Sequence, residues 1–145
     1  MNTFKILVVE DNDGDVLMIT EALEDSEFVT KQWVVKDGKA ALDFLSKKNS
    51  YKSVETPDLV LLDLNLPKYN GLEVLKIIKN DDVLKTIPVV IFTTSSSKTD
   101  VIESYQNHVN CYITKPQDAA GFMEAVTKIE EFWINHVISP SFPRP

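Results

Sequence analysis

The chain has 145 residues, of which 43% are hydrophobic and 26% are charged. This length suits one domain around a single core, which argues against a membrane receptor or a multidomain enzyme, and the apolar share is too high for a disordered protein. The 15 Lys and Arg against 22 Asp and Glu leave a net charge of −7, which argues against a nucleic-acid binder and favours an acidic site that takes a cation.

Short apolar runs alternate with segments of helical period along the first half of the chain, which is the pattern of an α/β protein with a parallel sheet. The predicted strands are Phe4–Val9, residues 29–35 and residues 58–63. The predicted helices are Asp13–Glu24 and a segment from Gly38 to about Lys48. The polar stretch from Asn49 to Pro57 is predicted to be a loop.

The alternation continues in the second half of the chain. A third helix is predicted after Gly71, strands at residues 87–93 and 109–114, a fourth helix opened by a capping box of Ser97 and Asp100, and a fifth helix from Asp118 to about Val137. The segment SPSFPRP cannot continue a helix because of its prolines. We therefore predict one domain at residues 1–138 and a proline-rich tail at residues 139–145.

The cysteine and histidine content excludes two kinds of site. Cys111 is the single cysteine, and His108 and His136 are the two histidines, so neither an intramolecular disulfide nor a Cys/His zinc site can form. The apolar runs are far shorter than the roughly 20 residues that span a bilayer, and the N-terminus has no signal-peptide pattern. We expect a cytoplasmic protein without a membrane segment.

Five strand and helix pairs predict a doubly wound parallel sheet, for which the common strand order is 2-1-3-4-5. The loops after the strands share one edge of such a sheet, and ligands bind where the strand order reverses, here between strands 1 and 3. Strand 1 is followed by Glu10 and Asp11, and strand 3 ends in Asp63. Each residue alone could be a simple cap, but together they predict three carboxylates at one crevice.

Such a cluster must hold a proton or a cation, because two like charges about 4 Å apart repel by roughly 4 kcal/mol at an effective dielectric constant of 20. Carboxylate oxygens suit Mg²⁺, which keeps part of its water shell and leaves positions for a phosphate. Thr93 at the end of strand 4 and Lys115 after strand 5 would add a hydroxyl donor and a positive charge at the same edge. The pattern predicts a magnesium-assisted phosphoryl site.

The segments at these strand ends resemble the receiver domain of two-component response regulators, and the likeness extends over residues 5–133. The matching segments are VVEDN, LLDLNLP with the following Gly71, FTTSS and YITKP. The long polar loop before strand 3, the motif NLPKYNG and the aromatic C-terminal helix are most similar to the single-domain regulators associated with phytochrome-type sensor kinases. The resemblance implies a flavodoxin-like receiver fold.

The resemblance also implies a role for the acidic residues. Asp63 matches the phosphoacceptor aspartate, and Glu10 and Asp11 match the acidic pair that organises Mg²⁺. Asn65 matches the position whose backbone carbonyl is a further metal ligand. Glu10 stands where Asp is commoner in the family, and its longer side chain leaves open whether it contacts the metal directly or through water.

Three further positions match the family at strands 4 and 5. Thr93 matches the switch hydroxyl, Lys115 the lysine that contacts the phosphoryl group, and Tyr112 the aromatic switch residue. The implied function is transfer of a phosphoryl group from a sensor histidine kinase to Asp63, followed by a change in a protein-interaction surface. Such a protein assists its own phosphorylation and dephosphorylation and is not a conventional turnover enzyme.

Three other functions are alternatives to this prediction. Phosphatases of the haloacid-dehalogenase type need an acid two positions after the nucleophile, where this chain has Asn65. A nucleotide binder on a related fold needs a glycine-rich loop, which the four glycines of this chain cannot form. A protein-binding scaffold on a receiver fold that works without phosphorylation stays open as the alternative.

Apolar residues on the last predicted helix indicate a possible interface. Phe132, Ile134 and Ile138 lie off the core-facing stripe of that helix and would be exposed in a monomer. We expect them to form a homodimer or a kinase contact, unless the tail with Phe142 folds back over them.

Overall fold

A computed structural model describes residues 3–28 and 30–142. The five strands are β1 (Phe4–Val9), β2 (Thr30–Val35), β3 (Leu59–Leu62), β4 (Val89–Thr93) and β5 (Cys111–Thr114). The α-helices are α1 (Asp13–Glu24), α2 (Gly38–Leu45), α3 (Gly71–Asn80), α4 (Lys98–Gln106) and α5 (Ala119–Asn135). Single turns of 3₁₀ helix cover Asn49–Tyr51 and Leu84–Thr86. No helix in these ranges is both long and apolar enough to cross a bilayer.

The strands form one parallel sheet in the order β2-β1-β3-β4-β5, which confirms the predicted fold class and strand order. The register brings the carboxyl ends of neighbouring strands level with one another. Val9 at the end of β1 pairs with Val35 on one side and Leu62 on the other, and Thr93 pairs with Thr114. Residues that follow these strands are therefore delivered to one edge of the sheet.

Apolar side chains on the two faces of the sheet build two layers of core. Along β1, Leu7 and Val9 point to the layer that contains Phe44 of α2, and Ile6 points to the layer that contains Phe122 of α5. The continuous apolar run of β3 is buried on both faces, as a central parallel strand requires. These layers hold the strand ends at fixed positions.

Helix α2 is shorter than predicted. The sequence pattern extended it to about Lys48, but it ends at Leu45 because Lys47 and Asn49 adopt positive φ angles of 56° and 57°, which reverse the chain. The segment predicted to be a loop accordingly begins with a 3₁₀ turn at Asn49–Tyr51. Val29, the predicted first residue of β2, lies outside the described residues.

Local hydrogen bonds also explain why the start of β5 and the cap of α4 differ from the predicted ones. The N–H of Val109 donates to the carbonyl of Ser104 at 3.1 Å, so β5 begins at Cys111 and not at residue 109. Ser97 caps α4 by accepting the N–H of Asp100 at 3.0 Å, but the Asp100 carboxylate accepts from the hydroxyl of Ser95. Helix α4 thus has one half of the predicted capping box.

The segment after α5 returns to the amino end of the sheet. Phe142 is buried and makes an edge contact with Phe4 at a centroid distance of 5.0 Å, and the hydroxyl of Ser141 donates to Asp58 at 2.8 Å. Phe132 and Ile138 stay exposed, at 52% and 78% of their surface. The segment therefore does not cover these two apolar side chains. The prediction was wrong for Ile134, which is half-buried and packs against the core.

The loop between β3 and α3 packs closely against two glycines. A Cβ atom on Gly71 would lie 2.2 Å from the carbonyl oxygen of Asp63, and one on Gly38 would lie 2.0 Å from the carbonyl oxygen of Tyr69. The N–H of Gly71 donates to the carbonyl of Leu64 at 2.9 Å. The absence of a side chain at these positions allows the loop that follows Asp63 to pack on the start of α2 and α3.

Replacing Gly71 with Ala should therefore destabilise the fold. The added methyl group meets backbone atoms that cannot rotate away, so we expect the free energy of unfolding to fall by about 1–3 kcal/mol in urea denaturation. Gly14→Ala is the matched control, because its Cβ would meet only the side chain of Asn12 at 3.3 Å, and alanine is favoured in a helix by roughly 0.5–1 kcal/mol. Equal stabilities of the two variants would contradict this account of the loop.

Candidate functional site

Three carboxylates meet where β1 and β3 end. The N–H of Glu10 donates to the carbonyl of Val35 at 3.0 Å, and the N–H of Asp63 donates to the carbonyl of Val9 at 3.0 Å, so both residues continue the ladder of the sheet. One oxygen of each of Glu10, Asp11 and Asp63 lies within 4.8 Å of the others. The structure thus brings the three predicted acidic residues together, with Glu10 and Asp63 buried and Asp11 exposed.

Lys115 lies beside this cluster. Its N–H donates to the carbonyl of Thr93 at 2.8 Å, which fixes its backbone at the end of β5. Its buried ammonium group contacts Glu10 Oε1 at 2.5 Å and Asp63 Oδ2 at 3.3 Å. The predicted positive charge is therefore in contact with two of the three clustered carboxylates.

A third carboxylate on Lys115 was not predicted. Asp15 Oδ2 lies 2.7 Å from the Lys115 ammonium nitrogen. The cap of α1 places Asp15, since its N–H donates to the side chain of Asn12 at 2.9 Å. The sequence signal was the acidic first turn of this helix, because a first turn that follows a strand end points toward the site.

Thr93 is fully buried at the end of β4 and is linked to the loop before α4. Its hydroxyl oxygen accepts the N–H of Ser95 at 3.4 Å. The carbonyl of Ser95 in turn accepts the hydroxyl of Tyr112 at 2.8 Å. Burial raises the pKa of the Tyr112 phenol, so this group stays a neutral donor. The structure joins Thr93 and Tyr112 through Ser95.

Asn65 is exposed on the loop after β3. Its N–H donates to Asp63 Oδ1 at 3.4 Å, whereas Lys115 contacts the other oxygen, Oδ2. The Asn65 backbone is thereby held next to the acidic cluster.

Known proteins are similar to this chain in sequence and in fold. The family model for the response regulator receiver domain matches residues 6–127. The chain belongs to this family. Response regulator Rcp1 of Synechocystis sp. is 44% identical over 136 residues, which cover 94% of this chain and 92% of that protein. The probable methanogenesis regulatory protein FilR2 of Methanothrix harundinacea is 42% identical and covers 94% of this chain, with 88% of its own length matched.

Solved structures give the same result for this receiver domain. The crystal structure of the phosphorylated cyanobacterial phytochrome response regulator RcpA has a TM-score of 0.94 and 45% identity, covering 97% of this chain and 100% of that one. The Mn²⁺-bound form of Rcp1 has a TM-score of 0.91 and 43% identity, with coverage of 95% and 99%. The predicted similarity to phytochrome-associated regulators is confirmed.

The charges of the receiver site perturb one another. Burial, together with the nearby Asp63 charge, raises the pKa of Glu10 to about 7 in spite of its contact with Lys115. Burial alone would lower the pKa of Lys115, but hydrogen bonds from its ammonium group to Asp15 and Glu10 outweigh burial and raise this pKa to about 12. Lys115 is therefore charged at neutral pH, whereas the carboxyl group of Glu10 is easier to protonate than that of an ordinary glutamate.

The donor set fits a hard divalent cation. The clustered ligand atoms are carboxylate oxygens from Glu10, Asp11 and Asp63, and no thiolate or imidazole belongs to the cluster within the described ranges. Oxygen-only sites of this kind suit Mg²⁺, Ca²⁺ or Mn²⁺. With Asp15, the site holds four carboxylates, three of which contact the Lys115 ammonium group, so a bound cation would relieve their repulsion.

The affinity for Mg²⁺ should rise with pH. A proton on Glu10 competes with the metal, and with a pKa of about 7 the competition is strong at pH 6 and nearly absent at pH 8. We expect roughly a tenfold gain in affinity between these pH values, with uptake of Mg²⁺ releasing protons, in isothermal titration calorimetry in two buffers. Glu10→Gln should bind more weakly and lose most of this pH dependence. An affinity independent of pH in the unchanged protein would contradict the raised pKa.

Proposed function

We propose that this chain is a response regulator that accepts a phosphoryl group on Asp63 from a sensor histidine kinase in a Mg²⁺-dependent reaction. The observation that carries the proposal is the position of the Asp63 carboxylate, buried at the strand edge between Glu10, Asp11 and the Lys115 ammonium group. Two similar structures support it, since one is that of phosphorylated RcpA and the other is that of the Mn²⁺-bound form of Rcp1.

The metal would be held by the carboxylates of Glu10, Asp11 and Asp63 and by the backbone carbonyl of Asn65. When bound, Mg²⁺ supplies charge that neutralises the oxygens of the transferring phosphoryl group. Asn65 contributes through its backbone, so its side chain is free for other contacts.

In the proposed reaction, a carboxylate oxygen of Asp63 attacks the phosphorus atom of a phosphohistidine. The P–O bond to Asp63 forms as the P–N bond breaks, and the leaving imidazole nitrogen takes up a proton from water. Lys115 balances charge on the phosphoryl oxygens, and the Thr93 hydroxyl donates a hydrogen bond to one of them. Positioning and charge carry this reaction, with Asp63 as the nucleophile.

The acyl phosphate would then switch a surface around α4, β5 and α5. The Thr93 hydroxyl turns toward the phosphoryl group and gives up its 3.4 Å contact with the N–H of Ser95. Movement of that loop releases the hydroxyl of Tyr112 from the Ser95 carbonyl, and the ring turns into the space that Thr93 has left. A local contact thus changes a protein-interaction surface.

The kinase that fits this proposal is of the phytochrome type. RcpA is a cyanobacterial phytochrome response regulator, and it shares 45% identity with this chain over nearly its whole length. The exchange would take place in the cytoplasm, where a histidine kinase has access to ATP. The chain would act there as a phosphoacceptor that assists its own phosphorylation and dephosphorylation, as receiver domains do, and not as a turnover enzyme.

Intact-mass spectrometry tests this function. After incubation with Mg²⁺ and acetyl phosphate, we expect one added phosphoryl group, which is absent in Asp63→Asn and in the presence of EDTA. Beryllofluoride, a phosphoryl mimic, should bind the unchanged protein and not the variant. A protein that neither gains mass nor binds beryllofluoride would instead be the phosphorylation-independent scaffold.

We also propose that α5 and the residues after it form the interface of a homodimer. The support is the exposure of Phe132 and Ile138, which the contact between Phe142 and Phe4 leaves uncovered. Burial of such side chains against a second copy of the chain is favourable by about 1.5–3 kcal/mol each when complete. The kinase is the other partner that could cover them.

Sedimentation velocity on the Phe132→Ser and Ile138→Ser double variant tests the dimer. We expect the unchanged protein to sediment as a dimer at concentrations well above micromolar and the double variant as a monomer. Val83→Ser is the matched control, because Val83 is 80% exposed elsewhere on the surface and its loss should leave the dimer intact. A monomeric unchanged protein, with and without beryllofluoride, would rule the dimer out.

A further inference from the structure

Asp15 differs from the other partners of Lys115 in its position. Its carboxylate lies 2.7 Å from the ammonium nitrogen, closer than the Asp63 carboxylate at 3.3 Å. It is not one of the three residues whose oxygens converge within 4.8 Å as a possible metal cluster. Asp15 is thus a partner of the ammonium group that lies outside the cation site.

The position of Asp15 outside the cation site matters once a cation is bound there. A cation bound by Glu10 and Asp63 shares their negative charge, which weakens the hold of both carboxylates on the ammonium group. The lysine side chain is a flexible four-carbon stem, and it stays in one place only while a partner holds it. Asp15 is the carboxylate partner whose charge the cation leaves available.

The fold holds the Asp15 side chain beside Lys115. The cap that Asn12 provides to its N–H, at 2.9 Å, fixes the first turn of α1 against the end of β1. Its side chain is 20% exposed, whereas that of Asp13 in the same turn is 84% exposed and pairs with Lys36 at 2.6 Å. The two carboxylates of one helical turn therefore face different surroundings.

We propose that Asp15 is a positioning residue that keeps the Lys115 ammonium group beside Asp63 when a metal ion and a phosphoryl group occupy the site. The inference rests on the proposed function, because it assigns a part of the phosphoryl-transfer site. Asp15 acts through Lys115 and does not touch the reacting atoms.

NMR of the Lys115 ammonium group, labelled with ¹⁵N, tests this role without phosphorylation. Buried and held ammonium protons exchange slowly with water and give an observable signal. In Asp15→Ala, we expect the signal to persist without metal, because Glu10 still holds the group, and to be lost on addition of saturating Mg²⁺. In the unchanged protein and in Asp13→Ala, the signal should persist in both states.

Asp13→Ala is a matched control because it removes the same charge from the first turn of α1 and so has the same effect on the helix dipole. Asp15→Glu keeps the charge and should restore part of the signal. Retention of the signal in Mg²⁺-loaded Asp15→Ala, or its equal loss in Asp13→Ala, would overturn the inference. Circular dichroism melting shows that each variant is folded before it is compared.

The rate of phosphorylation is a second test of the role of Asp15. At saturating Mg²⁺, acetyl phosphate should modify Asp63 about tenfold more slowly in Asp15→Ala, and within about twofold of the normal rate in Asp13→Ala. An unchanged protein that binds Mg²⁺ but takes no phosphoryl group would contradict the proposed function alone. The ammonium signal would then decide the role of Asp15.

Discussion

The site depends on one buried ammonium group among carboxylates. Lys115 contacts Glu10, Asp15 and Asp63 in a pocket where burial raises the pKa of Glu10 to about 7. Without this lysine, buried negative charges would face each other uncompensated, and the breaking of a buried ion pair is strongly unfavourable. The same contacts join the end of β5 to β1, β3 and α1, so the charge balance and the alignment of the strand ends support each other.

Much of this arrangement could be predicted, since the parallel sheet decides it. The alternation of apolar runs with helical segments predicted a doubly wound parallel sheet, and the order 2-1-3-4-5 was taken as the common one for such sheets. That order, which the structure has, brings Glu10, Asp11 and Asp63 to one crevice. The assignment of Thr93 and Lys115 to the same edge followed from the same rule. Residues placed by the direction of a strand are therefore accessible to sequence reasoning.

Residues were harder to predict where their position depends on which side of a helix faces the site or on a local backbone angle. The contact of Asp15 with Lys115 depends on which side of α1 faces the edge, and the early end of α2 depends on the positive φ of Lys47. Glu130 is a further case, because it is a charged residue of α5 whose burial was not predicted. It is fully buried, it accepts the hydroxyl of Thr30, and burial raises the pKa of its carboxyl group.

Ser95 shows how the site can communicate with a surface. Its N–H contacts the hydroxyl of Thr93, its own hydroxyl donates to Asp100 in α4, and its carbonyl accepts from Tyr112 in β5. The contact with Thr93 is the longest of the three, at 3.4 Å, and is the one that the proposed acyl phosphate would replace. The two other contacts hold Asp100 of α4 and Tyr112 of β5. A shift of Ser95 would therefore move both elements together, as a surface with two states requires.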